Sequence, residues 1–133
     1  MILLPDTNVW IKLLNHGETP VKDCFRKTDP KKIKLCSVVM AELYFGAYNS
    51  SRKRKNLNIL KGLFSQYDSL SFDDKAAEVY GKIRAKLKSQ GTPIGSNDLL
   101  IAAVALRNKA VLITHNTGEF ERIAGLKLKD WEI

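Results

Sequence analysis

Eight consecutive apolar residues, Leu99 to Leu106, follow the polar run Gly95-Ser96-Asn97-Asp98. The run is long for a buried strand and suits a helix enclosed on all sides. Gly95 breaks the chain before it, and Ser96 or Asn97 is placed to cap it by accepting a hydrogen bond from a free backbone N–H. Asp98 falls on the first turn of this core helix. A carboxylate there favours the helix dipole, by under about 1 kcal/mol, but packing against a core rarely selects one. Two readings of Asp98 therefore stand, a dipole-matched charge and a functional acid, and two further acids bear on the choice.

The first of these is Asp6. Ile2-Leu3-Leu4 reads as a short strand buried on both faces, and Pro5 is expected to end it because proline has no N–H for the ladder. Asp6-Thr7-Asn8 comes next, ahead of the helical pattern Val9-Trp10-Ile11 and Leu13-Leu14. Asp6 thus lies where a strand hands over to a helix, which in an open α/β sheet is the edge where ligands bind. Its alternative role is a helix cap. The second acid is Glu42, the only charge between Ser37 and Ala47, in the helical stretch Val38-Val39-Met40-Ala41-Glu42-Leu43-Tyr44-Phe45-Gly46-Ala47. A buried lone carboxylate costs several kcal/mol unless it is protonated, paired or bound to a cation. A salt bridge to a lysine is the structural alternative.

Strand and helix signals alternate along the remaining chain. His16-Gly17 closes the first helix, and Thr19-Pro20 caps a second that carries Val21, Cys24 and Phe25 on one face. Asp29-Pro30 is a turn; Ile33 and Leu35-Cys36 form a second strand. Ser51 to Lys55 opens a helix with Leu57, Leu60, Phe64 and Tyr67 inward. Its four cations Arg52, Lys53, Arg54 and Lys55 oppose the helix dipole, so helix stability does not account for them. They are read either as contacts to the phosphates of a nucleic acid or as a solvated tip. Ser69 to Phe72 is a strand, Asp73 starts a helix that Gly91 ends, and Val111 to Thr114 is a buried strand. His115, Asn116, Thr117, Gly118 and Glu119 follow it, and Leu126 to Lys129 alternates as an edge strand. This order predicts an α/β fold: a parallel sheet of about five strands with helices on both faces and right-handed crossovers.

At 133 residues, residues 1–133 are expected to form one domain. No apolar run approaches the roughly 18 residues of a membrane span, and the start carries no basic segment of the kind a signal peptide needs. Cys24 and Cys36 are too few for a disulfide framework, and reduced thiols in a cytoplasmic protein are the simpler account. The net charge of +8 favours a polyanionic partner, of which nucleic acid is the commonest.

If Asp6, Glu42 and Asp98 converge, two ionised carboxylates about 4 Å apart repel by roughly 4 kcal/mol at an effective dielectric near 20. Either some of them take up protons or a cation sits among them. Oxygen ligands fit a hard divalent ion, Mg²⁺ or Mn²⁺, whereas His16 and His115 stand alone and show no zinc-like spacing. Carboxylate-held Mg²⁺ in a basic chain points to phosphodiester cleavage by water, with no protein nucleophile. The chain has no G-x-x-x-x-G-K-[ST] and no G-x-G-x-x-G. A phosphatase with an aspartyl nucleophile commonly has a second aspartate two residues on, where this chain has Asn8.

The blocks Pro5-Asp6-Thr7-Asn8, Ala41-Glu42-Leu43-Tyr44-Phe45-Gly46, Pro93 to Ala103 and Thr114-His115-Asn116-Thr117-Gly118-Glu119-Phe120 occur in the order of those in PIN domains. From Met1 to about Trp131 the chain resembles that family, and more closely the VapC-type toxins of bacterial toxin–antitoxin pairs. The resemblance implies a single PIN-like nuclease domain of five parallel strands. It implies a Mg²⁺- or Mn²⁺-dependent endoribonuclease that cuts structured RNA, with tRNA as the expected target. On matching positions Asp6, Glu42 and Asp98 would hold metal, with Thr7, Asn8, Thr114 and Asn116 as supporting polar groups. Many PIN domains have aspartate where this chain has Asn116, so a fourth acidic role passes to Glu119 or is absent; Glu119 alternatively just begins a short helix. A VapB-like antitoxin that occludes the site and a homodimeric toxin are implied as well. The rival reading is a non-catalytic RNA- or protein-binding module on the same fold, although a pure binder has no need of carboxylates that repel phosphate.

Overall fold

In the computed structural model, which describes all residues 1–133, five short strands alternate with seven helices. The strands are β1 (Leu3–Pro5), β2 (Leu35–Cys36), β3 (Ser69–Leu70), β4 (Val111–Ile113) and β5 (Lys127–Lys129). The helices are α1 (Thr7–Leu14), α2 (Pro20–Lys27), α3 (Ser37–Tyr48), α4 (Lys53–Phe64), α5 (Asp74–Ser89), α6 (Ser96–Arg107) and α7 (Thr117–Phe120). All strand pairs are parallel, as the alternation of elements requires.

The strands do not form one five-stranded sheet. They divide into a three-stranded sheet, β1-β4-β5, and a two-stranded sheet, β2-β3. A single parallel bridge, Leu3 to Ile33, joins the two, with the Lys34 N–H donating to the Leu3 carbonyl at 2.9 Å. The division follows from the brevity of β2. A turn of 3-10 helix at Pro30–Lys32 delivers Ile33 beside Leu3, and only Leu35 and Cys36 remain before the chain turns into α3. Pro5 ends β1 as expected. It lies within β1 opposite Ile113, at the last position of the strand, where a missing N–H costs the ladder least.

Side-chain caps start three of the seven helices. Asp6, Thr19 and Asp73 accept from the N–H groups of Val9, Lys22 and Ala76 and start α1, α2 and α5. Gly17 and Gly91, just beyond α1 and α5, take the left-handed φ values of 91° and 69° that glycine tolerates best. The expected side-chain cap of α6 is not made: Gly95 is the N-cap, and Ser96 and Asn97 are already helical. That leaves Asn97 free to face the acidic residues.

The apolar octet is enclosed except at Leu100, which lines a cleft, and Leu106, both half-buried. Leu99 and Ile101 to Ala105 are buried, and α6 packs along α5 on one side and on β4 and α3 on others. A second focus of the core is Trp10, fully buried, with its indole N–H donating to the Pro5 carbonyl at 3.0 Å. Phe25 and Tyr67 lie 5.2 and 5.0 Å from it, and Phe25 continues the cluster to Trp131 at 4.9 Å. The C-terminal segment is thereby tied to α1 and α2. No helix is long and apolar enough to cross a membrane.

Candidate active site

Pairing of Pro5 with Ile113 brings the carboxyl ends of β1 and β4 side by side. The Asp6 N–H donates to the Ile113 carbonyl at 2.9 Å, so the sheet itself fixes this residue. Its Oδ1 caps α1 by accepting from Val9 N–H at 3.1 Å, and the Thr114 side chain hydrogen-bonds to it as well. Cap and candidate ligand are therefore the same group, since capping leaves the second carboxylate oxygen to other partners. Asp6 is only 6% exposed. Burial holds its carboxyl above the ordinary 3.8; the Thr114 and Val9 hydrogen bonds pull it down, and the charges of Glu42 and Glu132 push it up.

Glu42 projects from the middle of α3. The Thr7 hydroxyl donates to its Oε1, and the Asn97 amide donates to Oε2 at 3.3 Å. No lysine or arginine pairs with it, so the salt-bridge alternative does not hold. Asp98, third residue of α6, faces the same space. Burial, then the charges of Glu119, Asp6 and Glu42, raise its carboxyl from 3.8 to about 6. One carboxyl pushed upward by three others means that the four acids share a single electrostatic site.

Glu119 stands at the rim of this group on α7. Its Oε1 accepts from Gly95 N–H at 3.3 Å and its Oε2 from the Asn116 amide at 2.7 Å, while Asn116 N–H donates to Thr114 at 3.0 Å. The loop after β4 is thus laced to the start of α6. Asp6, Thr7, Asn8, Glu42, Asn97 and Asp98 line a cleft of about 730 Å³, with Ile11, Val38, Phe45 and Leu100 among its apolar walls. Thr114, Asn116 and Glu119 stand outside that lining. The cations Arg52, Lys53, Arg54 and Lys55 line no part of it either; they are exposed at the start of α4 and form no ion pair.

Four residues near the site were not legible as site residues. Asn97 reads as a cap in the sequence, and its amide instead reaches Glu42 from α6. Lys12, Asp130 and Glu132 come from opposite ends of the chain. Lys12 pairs with Glu132, and His115 Nδ1 lies 2.9 Å from Asp130 Oδ2 and 3.7 Å from Glu132 Oε2. His115 is therefore not alone, contrary to the expectation for both histidines. The ligand-type atoms of His115, Asp130 and Glu132 lie within 4.8 Å of one another, but Lys12 already meets the Glu132 carboxylate. No spacing rule links residues 12, 115 and 130–132, so only folding could reveal the group.

The unpaired acids, the hydrogen bonds that orient them and an open cleft fit a site for a hard divalent cation. Comparisons with known proteins agree in fold and in sequence. Residues 3–126 match the PIN domain family. The chain is 37% identical to a tRNA(fMet)-specific endonuclease VapC of Shigella flexneri, over 95% of each chain. It is 35% identical to ribonuclease VapC2 of Rickettsia felis, over 99% of each. Among solved structures, the DNA-bound VapBC of Salmonella typhimurium superposes with a TM-score of 0.92 at 33% identity, covering 98% of both chains. The similarity spans every element that builds the cleft, from β1 through α7, and on that ground the chain belongs to the PIN-domain family, among its VapC ribonucleases.

Proposed function

We propose that this protein is a divalent-metal-dependent endoribonuclease and the toxin of a toxin–antitoxin pair, with structured RNA, tRNA first, as its substrate. The observation that carries the reading is the set Asp6, Glu42, Asp98 and Glu119: four acids in one site with no lysine or arginine against any of them. Such a site is under repulsive stress until a counter-charge enters. Asp6, Glu42 and Asp98 are the residues that would hold Mg²⁺ or Mn²⁺, with Glu119 reaching it directly or through water. When bound, the ion supplies Lewis acidity to the attacking water and the leaving oxygen of a phosphodiester.

The chain's own groups prepare that site. Thr7 and Asn97 orient Glu42 through both of its oxygens. Val9 N–H and Thr114 fix Asp6, and Asn116 and Gly95 N–H steer Glu119. Asn8 adds a neutral polar group to the wall. Exposed apolar side chains surround the cleft, Phe45 at 70% on its wall and Tyr48 at 59% further along α3. Surface of this kind calls for a protein cover, and a VapB-like antitoxin that occludes the cleft, on a homodimeric toxin, is the partner we propose. The relatives named as ribonucleases and the VapBC complexes among the structural neighbours support this reading.

Protein freed of antitoxin should cut RNA with Mg²⁺ or Mn²⁺ and stop when EDTA is added. Undiminished cleavage in EDTA would exclude the metal mechanism. Asp6→Asn expressed beside the wild type separates the enzyme from a mere binder: growth arrest by the variant without RNA cutting would favour the binding module.

A further inference from the structure

Asp6 borders two clefts. Beside the acidic one opens a second, of about 340 Å³, within the ~300–1,000 Å³ range of small-ligand sites. Its walls are Asn8, Asn15, Asn116, His115 and the Lys12–Glu132 pair, and Ile11 is its single apolar lining residue. The ribonuclease reading gives no task to Asn15 or His115.

The chemistry of the lining selects among ligands. Asn8 and Asn15 each offer a side-chain carbonyl acceptor and two N–H donors, and Asn116, which gives one N–H to Glu119, keeps its carbonyl and the other N–H, a mixed set suited to a group that carries both. The basic groups are already engaged: Lys12 with Glu132, and His115 Nδ1 with Asp130 at 2.9 Å. Each basic group already faces a carboxylate that offsets its charge, so a neutral hydrogen-bonding group fits better than an anion. Anchoring Nδ1 on a carboxylate also fixes the ring and leaves Nε2 and the ring face available. The side chain of His115 is 62% exposed, so its place against Asp130 and Glu132 is not a matter of core packing. An aromatic face beside amide groups is how proteins take up an unstacked nucleobase, by stacking and by hydrogen bonds to its edge.

We propose that this second cleft is a base-recognition subsite. It takes one unstacked RNA base next to the scissile phosphodiester, with His115 stacking on it and Asn8, Asn15 and Asn116 reading its edge. The placement follows from Asp6, which belongs to both clefts, and the inference rests on the ribonuclease reading above.

The chain has two histidines, so the ring C–H signals of His115 can be followed by NMR with those of His16 as an internal control. Titration with the four ribonucleoside 5′-monophosphates should shift the His115 signals upfield, most for one base, and leave His16 in place. Absent shifts, or equal shifts with all four, would overturn the subsite. RNA hairpins varied at the nucleotides on either side of the mapped cut give the kinetic counterpart. The wild type should discriminate among bases at one flanking position by about five- to hundredfold in kcat/KM, the range of one good base contact. His115→Ala and Asn15→Ala, on separate elements, should each flatten that ratio. Equal kcat/KM for all four bases at both positions would remove the subsite and leave the ribonuclease standing. No cleavage of any RNA with either metal would remove both.

Discussion

Asp98 shows what a half-buried acid among other acids does to the molecule that carries it. Its carboxyl rises from 3.8 to about 6 in the folded chain through burial and the charges of Glu119, Asp6 and Glu42. The folded state therefore holds this proton more readily than the unfolded chain, and the stability it contributes is present below pH 4 and lost as pH rises through about 6. In metal-free protein at pH 7.5, Asp98→Asn should raise stability by about 1–2 kcal/mol after solvent screening is allowed for, and the gain should vanish near pH 4. Thermal melts in EDTA at the two pH values check this, and an equal change at both would refute it. Glu119 is the largest charge acting on Asp98 and is held by Asn116 and Gly95. Glu119→Gln should raise the Mg²⁺ concentration needed for half-maximal cleavage more than Asn116→Ala does. A Mg²⁺ titration unshifted for Glu119→Gln would leave a three-acid site.

Among the elements, α6 is the most constrained. Ala102 and Ala103 are fully buried where α6 meets its neighbours, so small side chains set how closely the helices approach. Ala102→Leu should overpack this contact and cost about 1–3 kcal/mol, seen as a lower denaturant midpoint with an unchanged slope. Since Asp98 stands one turn before Ala102 on the same helix, the variant should also weaken metal binding relative to a stability-matched variant elsewhere in the core. Helix α3 differs. Val39, Leu43 and Ala47 are buried, whereas Tyr44, Phe45 and Tyr48 are exposed, so its apolar sequence serves an interior and a surface together.

For the whole molecule, a charge of +8 sits around a cleft that is itself acidic. Long-range attraction of RNA and local repulsion at the site then have separate sources. Arg52, Lys53, Arg54 and Lys55 are exposed and unpaired, and phosphate contacts release counterions. Neutralising all four should weaken RNA binding and reduce the steepness of log K against log salt by up to about 3, from about 0.7 per single-strand contact. An unchanged slope would assign the run to solvent.

Local rules were enough for much of this fold. Asp6, Thr19 and Asp73 start helices because the side chain and the N–H it caps are three residues apart, a distance the sequence displays. The parallel strands follow from the alternation of elements and the burial of Leu99 and Ile101 to Ala105 from an unbroken apolar run; the three acids stand out because each borders or interrupts apolar sequence, although only Asp6 lies at a strand-to-helix junction. Tertiary structure decided the rest. Division into two sheets depends on β2 having two residues between a 3-10 turn and α3. Asn97 serves Glu42 because Gly95 takes over the cap. Whether Glu42 meets a lysine, and whether Lys12, His115, Asp130 and Glu132 meet one another, are matters of long-range packing around Trp10 and Trp131. No local pattern encodes such meetings, because residues more than a hundred positions apart are brought together by the core and not by their neighbours in the chain.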